Sequence, residues 1–331
     1  MSSMITRLLT SVFGSSSHQQ ASPAIQALKP PPIPVPAISP VEIVPQRVLE
    51  LFSAHKIDVL TAAEILRVPF VDMTPGNLGR YIDNVMIDWL VKVFSVNRSW
   101  LLGESDRRGA YPLTWYKSFQ DAGRHLLDRA SEPDVTKIRV LFLSPESWDL
   151  KAMMTQEKGR HEFVVVIELT RQTTSGHLFQ TFDRFQDMLW NDEVTRAYVL
   201  ALGIFCDLTE ARDLFPYNKR PSWQGLAIPD AEMMRFMRHG SLFPAELLET
   251  RAGFGSATKL YNFFLGPDEE GVSAKEFSEA KAKAEGMMTS LTAEAKRKLV
   301  YDTKMSRIKA KPDFDTDLDS EEVDAGPDGW P

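Results

Sequence analysis

The stretch Val85–Glu104 constrains this chain most. It places Met86, Trp89, Leu90, Val93 and Phe94 at spacings of three and four, which predicts a helix with one buried face. Val96 follows as a core residue. Asn97 is suited to cap a short helix carrying Trp100 and Leu101, because its side-chain oxygen can take an otherwise unpaired amide of the first turn. Gly103 then stands where a helix end favours a residue free to adopt positive φ.

Three more helices are expected upstream. Pro45 opens one that runs through Val48, Leu49 and Phe52 to about Lys56. Asp58 caps a second, with Ala62, Ala63, Ile65 and Leu66 turned inward. Thr74 caps a third, with Pro75 at its first position and Leu78, Tyr81 and Ile82 as its inner face. Ile87–Ser95 and Asn97–Leu102 complete five helices within residues 44–108.

The tracts Leu66-Arg67-Val68-Pro69 and Leu78-Gly79-Arg80-Tyr81, followed by Val96 and Trp100-Leu101-Leu102-Gly103, resemble the lambda-repressor-like (Cro-type) helix-turn-helix domain. The resemblance covers about residues 44–108 and implies a five-helix fold, double-stranded DNA as partner and a role in transcription regulation. It implies that the third helix enters the major groove with Thr74, Asn77 and Arg80 at the DNA. Arg80 suits guanine or phosphate there, and Asn77 suits adenine.

The chain departs from the family pattern in its charge and in its third helix. Phe70–Met73 are about four extra residues ahead of that helix, and Gly76 and Gly79 fall within it. Val41–Arg108 holds eight basic and nine acidic side chains, without the basic footprint of most DNA-binding domains. The alternative reading is an adaptor or effector in which the same helices bind a protein partner.

Residues 109–267 read as a mixed α+β domain for dimerisation or effector sensing. Ile138–Leu143 and Phe163–Leu169 are its strands. Leu113–Arg129, Ala231–Arg238 and Pro244–Thr250 are expected to be helical, and Thr195–Cys206 fits helix or strand. Leu178, Phe182, Phe185 and Leu189 stand at helical spacing. The large aromatics, Trp115, Tyr116, Trp148, Trp190 and Trp223, are read as core, with a cavity for an apolar effector as the other reading.

Residues 268–311 carry a long helix, opened by a Ser273/Glu276 capping box and striped by Phe277, Ala280, Ala284, Met287, Leu291, Ala295 and Leu299. That stripe either docks on the preceding domain or pairs with a second copy of the chain, giving a homodimer. The fold class is therefore α+β overall.

The two ends are of different character. Residues 1–43 are a Ser- and Pro-rich tail and linker, whose prolines at 30, 31, 32, 34, 36 and 40 favour extended polyproline II. Ile5, Leu8, Leu9 and Val12 share one helical face, but that apolar run is too short and interrupted for a secretory signal. No run approaches the length of a membrane span, so a cytoplasmic location is expected. Residues 312–331 hold eight acids and no base, so the net charge of −7 leaves the remainder near +1. Such a segment is expected to be disordered.

Little in the composition points to catalysis. The single cysteine, Cys206, rules out a disulfide framework and a CxxC zinc site, and its apolar surroundings read as core. The histidines at 18, 55, 125, 161, 177 and 239 show no metal-ligand spacing. Gly253-Phe254-Gly255-Ser256 lacks a preceding strand and a third glycine, and His161-Glu162 has no nucleophile beside it. Glu168-Leu169-Thr170-Arg171 lacks the Glu-x-Lys of nucleases. No catalytic residue, metal or cofactor is expected, and the chain does not read as an enzyme.

Overall fold

Local capping chemistry sets the first helices. In a computed structural model, residues 40–109, 119–147, 162–186, 188–190, 192–210, 214–249 and 274–309 are described. The expectations for the polyproline linker, residues 113–116, Trp148, His161, the Gly253 loop, Ser273 and the acidic tail lie outside them. Helix α1 spans Pro40–Ala54, α2 Val59–Leu66, α3 Pro75–Leu78, α4 Asn84–Phe94 and α5 Arg98–Leu101. Asp58 accepts from the amides of Leu60 and Thr61 at the head of α2, Asp83 from Met86 at α4 and Asn97 from Ser99 at α5. Each satisfies an amide that the first helical turn leaves unpaired.

Three expectations for this segment need correction. Pro45 does not open α1 but lies inside it, because Pro40 already supplies a fixed φ suited to a first turn. Pro45 costs one backbone hydrogen bond there and is buried; its ring faces Gly79, where an added Cβ would come within 3.3 Å of Pro45 Cγ. Tyr81 and Trp89 were expected to face inward, yet they are 37% and 38% exposed. The third helix is a single turn, so little structure covers them. Leu90, Val93 and Phe94 are buried on α4 as expected, and Ile87 completes that face in place of Met86 and Trp89.

Gly103 follows α5 at φ +79°, as its position predicts, and an added Cβ would collide with Ile43 Cγ2. Gly103→Ala should therefore cost at least about 1–2 kcal/mol, from the left-handed backbone alone. Denaturant unfolding of the two proteins measures the difference, and equal midpoints would show that the loop relaxes freely.

The second half is α+β. Helix α6 spans Phe119–Ser131, β1 Val135–Pro145, β2 Glu162–Gln172, β3 Leu178–Arg184, β4 Met188–Leu189 and α7 Glu193–Glu210. Strand β5 (Ser222–Ile228), α8 (Asp230–Met234, continued by one π-helical turn, Arg235–His239), α9 (Pro244–Glu249) and α10 (Ala274–Lys309) follow. The sheet order is β3-β2-β1-β5, with β4 paired to the start of β2. Strand β1 is antiparallel to β2 and parallel to β5, so the sheet is mixed.

Each face of this sheet buries its own core. Ile138, Val140, Val165, Ile167 and Leu169 meet α6, α7 and α10 on one side. Leu141, Leu143, Val164 and Val166 meet Met233, Phe236, Leu247 and Leu248 on the other. Continuous apolar runs, with no alternation to polar residues, are what a sheet covered on both faces requires. The helices α1 to α5 close around a third cluster holding Leu51, Phe52, Leu78, Leu90 and Trp100, to which Phe179 and Phe243 also belong.

The segment 178–189 overturns the helical expectation. Phe179, Phe182 and Phe185 would share a helix face or two, but they enter three different cores. Hydrogen bonding of Leu178–Arg184 along β2 decides the matter. The ambiguous Thr195–Cys206 is helical, within α7.

The long C-terminal helix docks on the same molecule. Ala280, Ala284, Met287 and Leu291 of α10 are fully buried in the core shared with α6 and α7. The approach is close: a Cβ on Gly123 of α6 would lie 2.5 Å from Met287 Sδ. Buried Arg196 of α7 donates to Glu276 Oε1 at 2.9 Å, so the helix start is fixed by a charge-assisted bond. Cys206 is buried, as read, and burial pushes its thiol well above the usual range, away from nucleophilic use.

Candidate functional site

The three residues assigned to DNA stand on one short turn. Thr74 is the extended residue before α3 and makes no side-chain capping bond. Its carbonyl accepts from the Asn77 amide at 3.1 Å, and the Asn77 carbonyl accepts from the Arg80 amide at 3.1 Å. This i, i+3 chain brings the three together along one side. Thr74 and Arg80 are exposed and Asn77 is half-buried. A Cβ on Gly79 would sit tightly against Pro45 Cγ, at 3.3 Å, whereas one on Gly76 would meet nothing. Four residues of helix rise only about 6 Å, short for an element that must enter a major groove.

Beside this turn lies an open groove of about 410 Å³ between α2 and α4. Its walls are Ile65, Tyr81, Val85, Met86 and Trp89, with Arg67 and Asp83 at the rim. The Tyr81 hydroxyl donates to Asp72 Oδ2 at 2.6 Å, which ties the wall to the 3-10 turn Phe70–Asp72. Large apolar side chains are open to solvent here: Val85 is 76% exposed, and Val71 and Phe70 of that turn are 75% and 55%. Such a cluster marks an interaction site more often than an inert surface.

A second constellation lies where α4 and α6 meet β3. The Asp183 carboxylate is buried and accepts four hydrogen bonds: from Ser95 Oγ at 2.7 Å, His125 Nε2 at 2.8 Å, and Arg129 Nε and Nη2 at 2.7 and 2.9 Å. Burial alone would raise its pKa. The bonds from His125, Arg129 and Ser95 outweigh that and hold it at about 2. All four acceptor positions are filled, so Asp183 is a structural anion and not a free base.

Further polar ties join the helical segment to the sheet. The Ser175 amide in the β2–β3 turn donates to Glu64 of α2 at 2.7 Å, and Arg108 binds both Glu246 and Glu50. Glu168, at the strand end considered for nuclease chemistry, is buried and gripped by Arg139 through bonds of 2.6 to 3.0 Å. It is structural.

No pattern in the sequence marks the Asp183 cluster. Its partners lie 54 to 88 residues away, and no short spacing encodes them. Among the described residues no group of three or more His, Cys, Asp or Glu is placed to hold a metal ion. Among them, too, no helix is long and apolar enough to cross a membrane. No family model, no curated protein and no solved structure matches this chain.

Proposed function

We propose that this is an interaction protein, in which the helices of residues 40–109 take up an amphipathic helix of a partner protein in the groove between α2 and α4. The observation that carries this reading is the solvent-open apolar wall of that groove, with Val85 at 76% exposure. A groove of this kind accepts the apolar face of a helix through residues at i and i+4. Its rim holds one cation and one anion, Arg67 and Asp83, and so offers no net attraction to a polyanion. Eight basic against nine acidic side chains over Val41–Arg108 add none.

The DNA-binding regulator is the second reading, favoured by Thr74, Asn77 and Arg80 lying along one exposed turn. One set of titrations separates the two. Helix-forming peptides selected on the full chain should bind wild type and weaken by on the order of thirtyfold in Val85→Glu with Trp89→Ala, the loss of a buried anchor at an interface. Val85 is open to solvent, so Val85→Glu alone should change the fold by no more than about 1 kcal/mol. Trp89→Ala removes a ring that stands edge-on to Phe94 and should cost more, so the melting temperature of the double variant is read alongside the titrations. Peptide binding unaffected by the pair sinks the groove reading. Duplex DNA bound at low salt and released by Asn77→Ala with Arg80→Ala replaces it with the regulator. A dimer that dissociates in Val85→Glu, seen by sedimentation, makes a second copy the occupant.

A further inference from the structure

We propose that the pocket between α4 and β3 binds a small uncharged ring compound carrying one hydroxyl or N–H donor, of the phenol or indole class. The pocket measures about 240 Å³ and is built where the helical segment meets the sheet. Helix α4 supplies Val91 and Ser95, and β3 supplies Phe182 and Asp183. Phe236, Leu242 and Pro244 close the far side.

The volume selects the size of the ligand. An apolar cavity of about 150 Å³ takes up benzene, so about 240 Å³ has room for a substituted ring or two fused ones. The walls select its body. Val91, Phe182, Phe236, Leu242 and Pro244 offer apolar surface from both halves of the protein, which suits a flat apolar ligand.

The ion pairs select its charge. Asp183 already accepts from Ser95, His125 and Arg129, and Arg129 is shared between Asp183 and Glu132. Arg184 lies 4.4 Å over the Phe236 ring, donates to the Phe236 carbonyl at 3.1 Å and has further contacts. Lys92 is exposed and keeps its hydration, so it offers little to a ligand. An ionised ligand would leave water without a dry partner for its charge, whereas a neutral one leaves these pairs undisturbed.

Ser95 selects the polar group. Its Oγ donates to Asp183 Oδ1 at 2.7 Å, and a hydroxyl that donates can still accept. A ligand O–H or N–H placed on Ser95 extends the chain that ends on Asp183, and each bond polarises the next. A ring without a donor forgoes this bond.

The pocket shares no lining residue with the groove between α2 and α4, so either reading can fail alone. The full chain is titrated at neutral pH with phenol and indole, in parallel with toluene, benzoate and benzylamine, the last a cation there. Side-chain NMR shifts report where each one sits. Phenol or indole should bind in the micromolar to low millimolar range, with shifts centred on Val91, Phe182, Phe236 and Leu242. Benzoate and benzylamine should be weaker by about tenfold or more, from the burial of an unpaired charge. Toluene should be weaker by about threefold or more, from the missing hydrogen bond. In Ser95→Ala, phenol should fall to the affinity of toluene while toluene itself is unchanged; a merely structural loss would weaken both. Val91→Phe narrows the pocket and should weaken phenol and indole by about tenfold or more, and Leu242→Phe does so from the far side if the first variant melts early. Failure of phenol and indole to bind at about 10 mM, or shifts centred elsewhere, overturns the proposal. Benzoate as tight as phenol overturns the uncharged ligand, and toluene as tight as phenol overturns the donor on Ser95.

Discussion

Asp183→Ala should destabilise the protein by about 3–5 kcal/mol, the usual result of removing one partner from a buried ion pair. The carboxylate is 1% exposed and answers three groups from two helices. Its loss leaves Arg129 with Glu132 alone and strands the Ser95 hydroxyl and the His125 ring beside an empty volume. Asp183→Asn keeps the shape and one acceptor but not the charge, so it should fall between alanine and wild type. Urea unfolding at neutral pH measures both. A loss below about 1 kcal/mol for the alanine variant would mean that water replaces the carboxylate and that the cluster is not a joint between helix and strand.

The same residue sets a pH signature. Its pKa is about 2 in the folded protein against an ordinary value of 3.8. A depressed carboxylate stabilises the fold above the ordinary value, and that contribution is lost as pH falls from about 4 toward 2. The shift corresponds to about 2 kcal/mol. Asp183→Asn should flatten the stability profile in this window and, above pH 5 or so, lower it by a constant amount without changing its slope.

The parts of the fold that a reader of the sequence could see are those encoded within four residues. Asp58, Asn97 and Gly103 each do what their local position demands, because capping and positive φ depend only on near neighbours. The apolar runs of β1 and β2 are unambiguous for the same reason. Strand β3 was not legible. Leu178, Phe182, Phe185 and Leu189 stand at spacings of four, three and four by coincidence, and only pairing with β2 reveals that Phe179, Phe182 and Phe185 serve three cores.

The inward assignment of Tyr81 and Trp89 failed for a related reason. Periodicity shows which residues share a helix face but not whether anything lies against it. In this chain α3 is one turn long, and the wall it would have covered is left open. That open wall is also the feature with most functional content. It was visible in the sequence only as a pair of glycines in a short helix. The Asp183 cluster and the pocket beside it join residues too distant in the chain for any motif to foretell.

Acidifying the protein from pH 6.5 to about 4 should cost about 3 kcal/mol through His55 alone. His55 is fully buried at the end of α1, with its ring centroid 5.1 Å from Phe94, 5.2 Å from Phe243 and 6.0 Å from Phe182. Nδ1 donates to the Leu51 carbonyl at 2.8 Å, which leaves Nε2 as an unprotonated acceptor among aromatic rings. Burial penalises the imidazolium and lowers the pKa from 6.5 to about 4, and the Leu51 carbonyl offsets only part of this. The unfolded chain takes up its proton below pH 6.5 while the folded one resists, so stability present above 6.5 is lost through that interval and levels off below 4. This window lies above that of Asp183, and the two can be read from one series of urea titrations. His55→Leu should remove the slope between pH 6.5 and 4 while leaving the loss through Asp183 below 4 in place. A slope that survives the substitution unchanged would assign the acid sensitivity to other groups. An NMR titration supplies the direct check: the His55 ring should show no protonation in the folded protein above about pH 5, whereas a midpoint near 6.5 would mean that water reaches Nε2.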